Sequence, residues 1–150
     1  MTTTTSPVPF QQRRIYVASS WRNQMQQGVV HTLRAAGHAV YDFKNPPGRA
    51  GFQWSAVDPN WQQWTPEEYR SALGHPVSQA GFASDWNAMV WADTGVLVMP
   101  CGRSAHIEAG YFVGAGKELH ILLAEEQEPE LMYLMATSIS LNLDELLQCV

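Results

Sequence analysis

The chain has 150 residues, of which 45% are hydrophobic and 15% charged, and its formal net charge is −5. Such a length suits about one domain, able to bury roughly two-thirds of its unfolded surface. An acidic balance argues against a nucleic-acid polymer as partner, because a duplex calls for a basic stripe. A small anionic ligand remains admissible, since one arginine and a few backbone N–H groups can hold it.

MTTTTSPVPFQQ has neither a basic start nor an apolar core, so it reads as a loose tail over residues 1–12 and not as a signal peptide. Residues 13–150 read as a single domain. The two cysteines, Cys101 and Cys149, are too few for a disulfide framework and suit reduced thiols in a cytoplasmic protein. The apolar runs fall far below the roughly 20 residues of a membrane span.

The run RRIYVAS, Arg13 to Ser19, predicts a first strand. A turn from Trp21 to Gly28 passes into a helix through Val29, Val30, Leu33 and Ala36, with Gly37 as a left-handed cap. His38 to Phe43 is a second strand, which completes a βαβ unit. Residues 44–81 then break the rhythm as a Trp-rich insertion or lid. NPPGRAGF is a loop, and Trp54, Trp61 and Trp64 follow it closely. Thr65-Pro66-Glu67-Glu68 carries the spacing of a capping box and starts a short helix ending near Gly74-His75-Pro76.

A longer helix from Val77 or Gly81 to Trp91 carries Asp85. Gly95 to Met99 is a third strand, followed by the turn Pro100 to Arg103 and a helix Ala105 to Ala115 with Ser104 as N-cap. That assignment puts Glu108 in the first helical turn, where the macrodipole favours its ionised form. Leu119 to Leu123 is a fourth strand. An acidic loop, Glu125 to Glu130, leads to a helix through Leu131, Leu134 and Met135, an edge strand Ser138 to Leu143 and a short helix from Asp144. Strands alternating with helices predict an α/β fold, a three-layer α/β/α arrangement of flavodoxin-like or Rossmann-like type around a mainly parallel sheet.

Several familiar motifs are absent. IYVASSWRNQ holds no G-x-G-x-x-G. GYFVGAGKE has its first glycine displaced and Glu118 where a P-loop needs Ser or Thr, and it ends a helix instead of opening one. GRSAH is not a nucleophile elbow. His106 and Glu108 diverge on a helix, and Cys101 with His106 lacks two further ligands, so no metal site is assigned.

The remaining chemistry is a pair of carboxylates and two anion-friendly turns. Asp85 precedes the third strand and Glu108 follows it, so both can approach the carboxyl edge of the sheet, where open α/β sheets place their ligands. Cleavage of a glycosidic bond needs such a pair, one carboxylate to attack and one acid to protonate the leaving group. Asp93, at the start of the strand, reads as a cap or turn residue. The turn after the first strand holds Ser19, Ser20, Arg22 and Asn23, where Arg22 suits a phosphate or a sugar hydroxyl. Gly102-Arg103-Ser104 offers a similar anion site at a helix N-terminus. Trp21, Trp54, Trp61 and Trp64 suit either stacking on a base or packing within a core or lid.

IYVASSWR, the run from Asp85 through WNAMVWADTGVLVM, and GRSAHIEAGYFVGAGKELHIL together resemble the nucleoside 2-deoxyribosyltransferase superfamily, which includes the 2′-deoxynucleoside 5′-phosphate N-hydrolases. The likeness spans Ile15 to about Leu123. Glu108 falls on the family's catalytic glutamate, Gly110 on the glycine that follows it, and Asp85 on its second acidic residue. The resemblance implies that Glu108 attacks the anomeric carbon to form a covalent glycosyl-enzyme, while Asp85 assists the departing base. Hydrolysis follows with water and transfer with a second base, without a cofactor. It also implies that Ser20 and Arg22 read a 5′-phosphate. The hydrolase branch has serine where this chain has Gly102, with Ser104 as a substitute. Family members complete their sites from a neighbouring subunit, for which Ser138 is the candidate, so homodimers or higher oligomers are implied. Two other readings stay open: a non-catalytic nucleotide sensor on the same fold, and a hydrolase of another N-glycoside such as a nicotinamide dinucleotide.

Overall fold

The computed structural model describes residues 8–150. The tail expected over residues 1–12 lies outside the described residues as far as residue 7. Beyond that point Phe10 packs on His38 with ring centroids 5.3 Å apart, and the Gln12 side chain donates to the Gly37 carbonyl.

Five parallel strands are seen among the described residues: β1 (Arg14–Ala18), β2 (Ala39–Asp42), β3 (Thr94–Val98), β4 (Glu118–Leu122) and β5 (Ser138–Ser140). They pair in the order β2-β1-β3-β4-β5. The helices are α1 (Gln26–Ala35), α2 (Pro66–Ala72), α3 (Pro76–Trp91), α4 (Arg103–Gly114) and α5 (Leu143–Cys149). Strand order reverses between β1 and β3, which opens a crevice at their carboxyl ends.

Alternation along the strands sorts the core into two layers. Ile15, Val17, Val96, Val98 and Leu122 pack with Val29, Val30 and Leu33 of α1 and Leu146 of α5. On the opposite face Tyr16, Ala18, Leu97, Leu119 and Ile121 pack with Ala88 and Met89 of α3 and Ala105, Ala109 and Phe112 of α4. The fold is therefore the three-layer α/β/α arrangement read from the sequence. Helix α4 rests closely on β3: a Cβ on Gly95 would lie 2.8 Å from the Phe112 ring.

Local signals account for most boundaries. The Asn23 side chain accepts from the N–H groups of Met25 and Gln26 at 2.8 and 3.0 Å, which starts α1. Gly37 ends the helix segment with φ +99°. The capping box at Thr65 and Glu68 is formed as its spacing predicts. His75 caps α3, so that helix runs unbroken from Pro76.

Three expectations need correction. Gly102, not Ser104, is the N-cap of α4, so the helix begins at Arg103 and Glu108 stands in its second turn. Leu131–Met135 forms only a short 3-10 turn. β5 ends at Ser140, and Asn142 then caps α5 by accepting from the Glu145 N–H.

The Trp-rich segment carries its own small aromatic core. Trp54 meets Phe52 at 4.8 Å, Trp64 at 5.6 Å and Tyr69 at 5.8 Å between ring centroids. The Trp64 indole N–H donates to Asp58 at 2.8 Å. Phe52 joins this cluster to α3 by lying where a side chain on Gly81 would be, 2.9 Å from a Cβ there.

Candidate active site

Two tyrosines form the floor of the site. Tyr16 on β1 and Tyr41 on β2 are direct register partners, and their rings stack with centroids 5.3 Å apart. Both project to the sheet face covered by α3 and α4. Tyr41 donates to Asp85 Oδ1 at 2.8 Å, which leaves its oxygen to accept from Ser84 Oγ at 2.9 Å. Asp85 is thereby aimed inward from α3. Tyr16 is fully buried, and its hydroxyl has no partner within full hydrogen-bonding geometry, although it lies near enough to Glu108 to favour that carboxylate. That hydroxyl faces Glu108 of α4 and feels the charges of both Glu108 and Asp85, which with burial hold it protonated.

The charge of Asp85 reaches Glu108, so the two carboxylates of the sequence reading lie near one another. Their electrostatics differ from that reading. Burial, reinforced by the charge of Asp85 and opposed by the Tyr16 hydroxyl, pushes the Glu108 carboxyl up to about 7. A second-turn position contributes little of the helix-dipole bias invoked for a first-turn residue. Burial also raises Asp85, while the Tyr41 bond and the Arg49 charge pull it back. The Glu108 carboxyl therefore titrates near neutral pH.

The two anion-friendly turns lie side by side because β1 and β3 are neighbours. Ser19 Oγ donates to the Val98 carbonyl at 2.9 Å, and Asn23 Nδ2 to the Pro100 carbonyl at 3.1 Å. Ser19 and Asn23 are thus committed to structure. Ser20 Oγ accepts from the Arg22 N–H at 3.2 Å, and the Arg22 side chain is exposed. Gly102 and Ser104 are exposed at the start of α4, next to this turn.

Ser138 lies elsewhere. Its hydroxyl is 2.6 Å from Nδ1 of His120, in the edge strand β5. Register alternation sets His120 and Ser138 on the sheet face opposite Leu119 and Ile121, hence away from Glu108 of the same chain. Asp93 behaves as the cap residue expected: it accepts from the Arg14 N–H at 3.2 Å at the amino end of β3.

Cys101 follows β3, and burial together with the Glu108 charge raises its thiol to about 11. His106 is engaged at both ring nitrogens, with the Gly102 carbonyl and the Tyr133 hydroxyl, each at 2.8 Å. Among the described residues no group of three or more His, Cys, Asp or Glu side chains is placed to hold a metal ion. A cavity of about 260 Å3, lined by Leu97, His106, Gly110 and Tyr133, occupies the other flank of α4 and does not include Glu108 or Asp85.

Tyr16, Tyr41 and Arg49 went unnoticed in the sequence. The signal available for the tyrosines was a phenol in the middle of each of two buried parallel strands, since a buried tyrosine hydroxyl ordinarily finds a partner. Arg49 had none, being one polar residue in a long loop. Its guanidinium donates to the Ala80 carbonyl of α3, which ties that loop beside Asp85.

The fold is matched by a solved structure. A 2-deoxyribosyltransferase of Bacillus psychrosaccharolyticus superposes with TM-score 0.56 at 18% sequence identity, covering 88% of each chain. The chain has the fold of a 2-deoxyribosyltransferase. A CMP N-glycosidase of Clostridium botulinum, BcmB, superposes with TM-score 0.49 at 16% identity, over 91% of this chain and 96% of the other. No family model matches the sequence, and no curated protein matches it. Among the described residues no helix is long and apolar enough to cross a membrane.

Proposed function

We propose that this chain is an enzyme that cleaves the N-glycosidic bond of a nucleoside or nucleoside 5′-monophosphate. The observation that carries the reading is the buried, unpartnered Tyr16 hydroxyl facing two charge-coupled carboxylates at the topological switch point. An unsatisfied buried hydroxyl is costly in a resting protein and is a mark of a working site. The shared fold supports the same reading, and so does the resemblance of the sequence to the nucleoside 2-deoxyribosyltransferase superfamily.

In this reading substrate enters with its anomeric carbon beside Glu108. The proton of the carboxylate pair passes to Asp85, which leaves Glu108 ionised. Glu108 attacks the carbon as the carbon–nitrogen bond breaks, and the bonding electrons leave with the base, which takes the proton from Asp85. The Tyr16 hydroxyl donates to Glu108 as its charge develops. Water then attacks the glycosyl-glutamate to give hydrolysis, or a second base attacks to give transfer. No cofactor is required. Ser20, Arg22 and the Gly102 to Ser104 turn hold the sugar or its 5′-phosphate.

The functional unit in this reading is a cytoplasmic homodimer. Phe82, Trp86 and Val90 recur at four-residue spacing on the outer face of α3 and are 62%, 40% and 53% exposed, a strip suited to a second copy. Ser138 would serve only a neighbour's site. Trp86→Glu should convert the dimer to monomers in sedimentation equilibrium.

Free-base release from a panel of nucleosides and their 5′-monophosphates, read by chromatography, tests the activity. Glu108→Ala should abolish release. Retention of full activity would remove the nucleophile assignment, and ligand binding without any release by wild type would favour a sensor.

A further inference from the structure

We propose that Lys44, from the loop after β2, is a further phosphate-binding residue and completes with Arg22 a cationic cradle for a 5′-phosphomonoester. β2 is the neighbour of β1, so the residue just past its end reaches the same carboxyl edge as the turn after β1. The Lys44 ammonium donates to the Asn23 carbonyl at 3.2 Å and lies 5.9 Å from the centre of the Trp21 ring. That turn is itself closed by the Asn23 N–H donating to the Ser20 carbonyl at 3.0 Å. Lys44 therefore borders the residues that flank Arg22 on both sides.

Its position is built, not incidental. The Lys44 N–H donates to Asp42 Oδ1 at 3.0 Å, and that buried carboxylate is also held by Gln26, Gln27 and Asn45, each at 2.9 Å. From the other side the Trp-rich segment presses in at Gly51. A Cβ there would lie 2.6 Å from the Trp21 ring and 2.8 Å from the Lys44 carbonyl oxygen. Trp21 also meets Phe43 edge to face at 5.6 Å. Part of the insertion thus acts as a buttress for the lysine and the turn.

Both cations are free to meet an anion. Among the described residues the ion pairs of lysine and arginine join Arg13 to Glu118 and Arg14 to Asp93, and Arg22 and Lys44 are among the seven Lys and Arg side chains that make none. An ammonium has three donors, of which the Asn23 carbonyl takes one. The others are free for phosphoryl oxygens, whose charge-assisted bonds are among the stronger ones.

This inference rests on the N-glycosidase reading only for the remainder of the substrate. Two measurements on Lys44→Gln, Lys44→Arg and Gly51→Ala decide it. Calorimetric titration with inorganic phosphate should show affinity weakened about tenfold in Lys44→Gln, the scale of one charge-assisted bond, and largely kept in Lys44→Arg. The ratio of kcat/KM for a nucleoside 5′-monophosphate to that for its nucleoside should fall by a similar factor, through KM. Gly51→Ala should follow Lys44→Gln, since a methyl group there displaces the Lys44 backbone. Equal loss for both substrates, unchanged phosphate affinity in Lys44→Gln, or no phosphate binding by wild type would each overturn the role. If wild type released no base from any substrate, the N-glycosidase reading would fall, while the phosphate titration would still decide Lys44.

Discussion

Replacing Glu108 with glutamine should stabilise the protein at alkaline pH while abolishing its activity. The carboxyl has a folded-state value of about 7 against 4.5 for the free group, with burial the main cause. Such a group is accommodated best when protonated. Stability is fully present below the unfolded value and is lost as pH rises through the folded one. The difference of about 2.5 units, at 1.36 kcal/mol per unit, corresponds to about 3 kcal/mol of lost stability at pH 8.5, and to under about 1 kcal/mol at pH 5. Glutamine retains the shape and never ionises. Urea unfolding of wild type and Glu108→Gln at the two pH values measures the gap between them. The variant should be more stable by about 3 kcal/mol at pH 8.5 and nearly matched at pH 5. A gap that does not change with pH, or a variant destabilised at pH 8.5, would refute the raised ionisation and the site electrostatics built on it.

Tyr16→Phe removes the unpartnered hydroxyl, so thermal stability should hold or rise by up to about 1 kcal/mol, or roughly 2–4 °C in Tm. Base release should fall at least about tenfold in the same variant, as expected when an oxyanion donor is lost. A large loss of stability with activity intact would show that the hydroxyl serves packing. For Arg22→Ala, kcat/KM should drop about tenfold for 5′-monophosphates with nucleosides little affected, on the scale of one charged bond; uniform loss would remove the phosphate role. Gly95→Ala drives a methyl into the Phe112 ring and should lower the urea midpoint by an amount equivalent to about 1–3 kcal/mol. Asp42 is opposed by burial but held ionised by Asn45, Gln26, Gln27 and the Lys44 N–H, so its carboxyl lies below the usual value. Its contribution is present above the unfolded value and disappears as pH falls through the folded one. The stability gap between wild type and Asp42→Asn should therefore be wide at pH 7 and narrow on acidification.

What the sequence determined by itself was local or periodic. The apolar recurrence at Val29, Val30 and Leu33, the capping box at Thr65 and Glu68 and the left-handed Gly37 depend on neighbours within a few positions, and each was realised. The alternation of strands and helices around Glu108 and Asp85 sufficed for the layered fold. Where two local signals competed, the prediction slipped: Ser104 is the better capping residue, yet the chain turns one step earlier at Gly102 and carries Glu108 out of the first turn. Tertiary structure alone decided the character of the site. Tyr16 and Tyr41 are 25 positions apart in sequence and become register partners only when β1 and β2 pair. Lys44 and Arg49 belong to a loop whose position follows from the packing of Phe52 on Gly81, of Gly51 on Trp21 and of Arg49 on the Ala80 carbonyl. The protonation of Glu108 depends on burial and on the charge of Asp85, both properties of the folded interior. Burial and through-space charge have no period along the chain, so the pattern of residues located the carboxylates but could not assign the proton they hold.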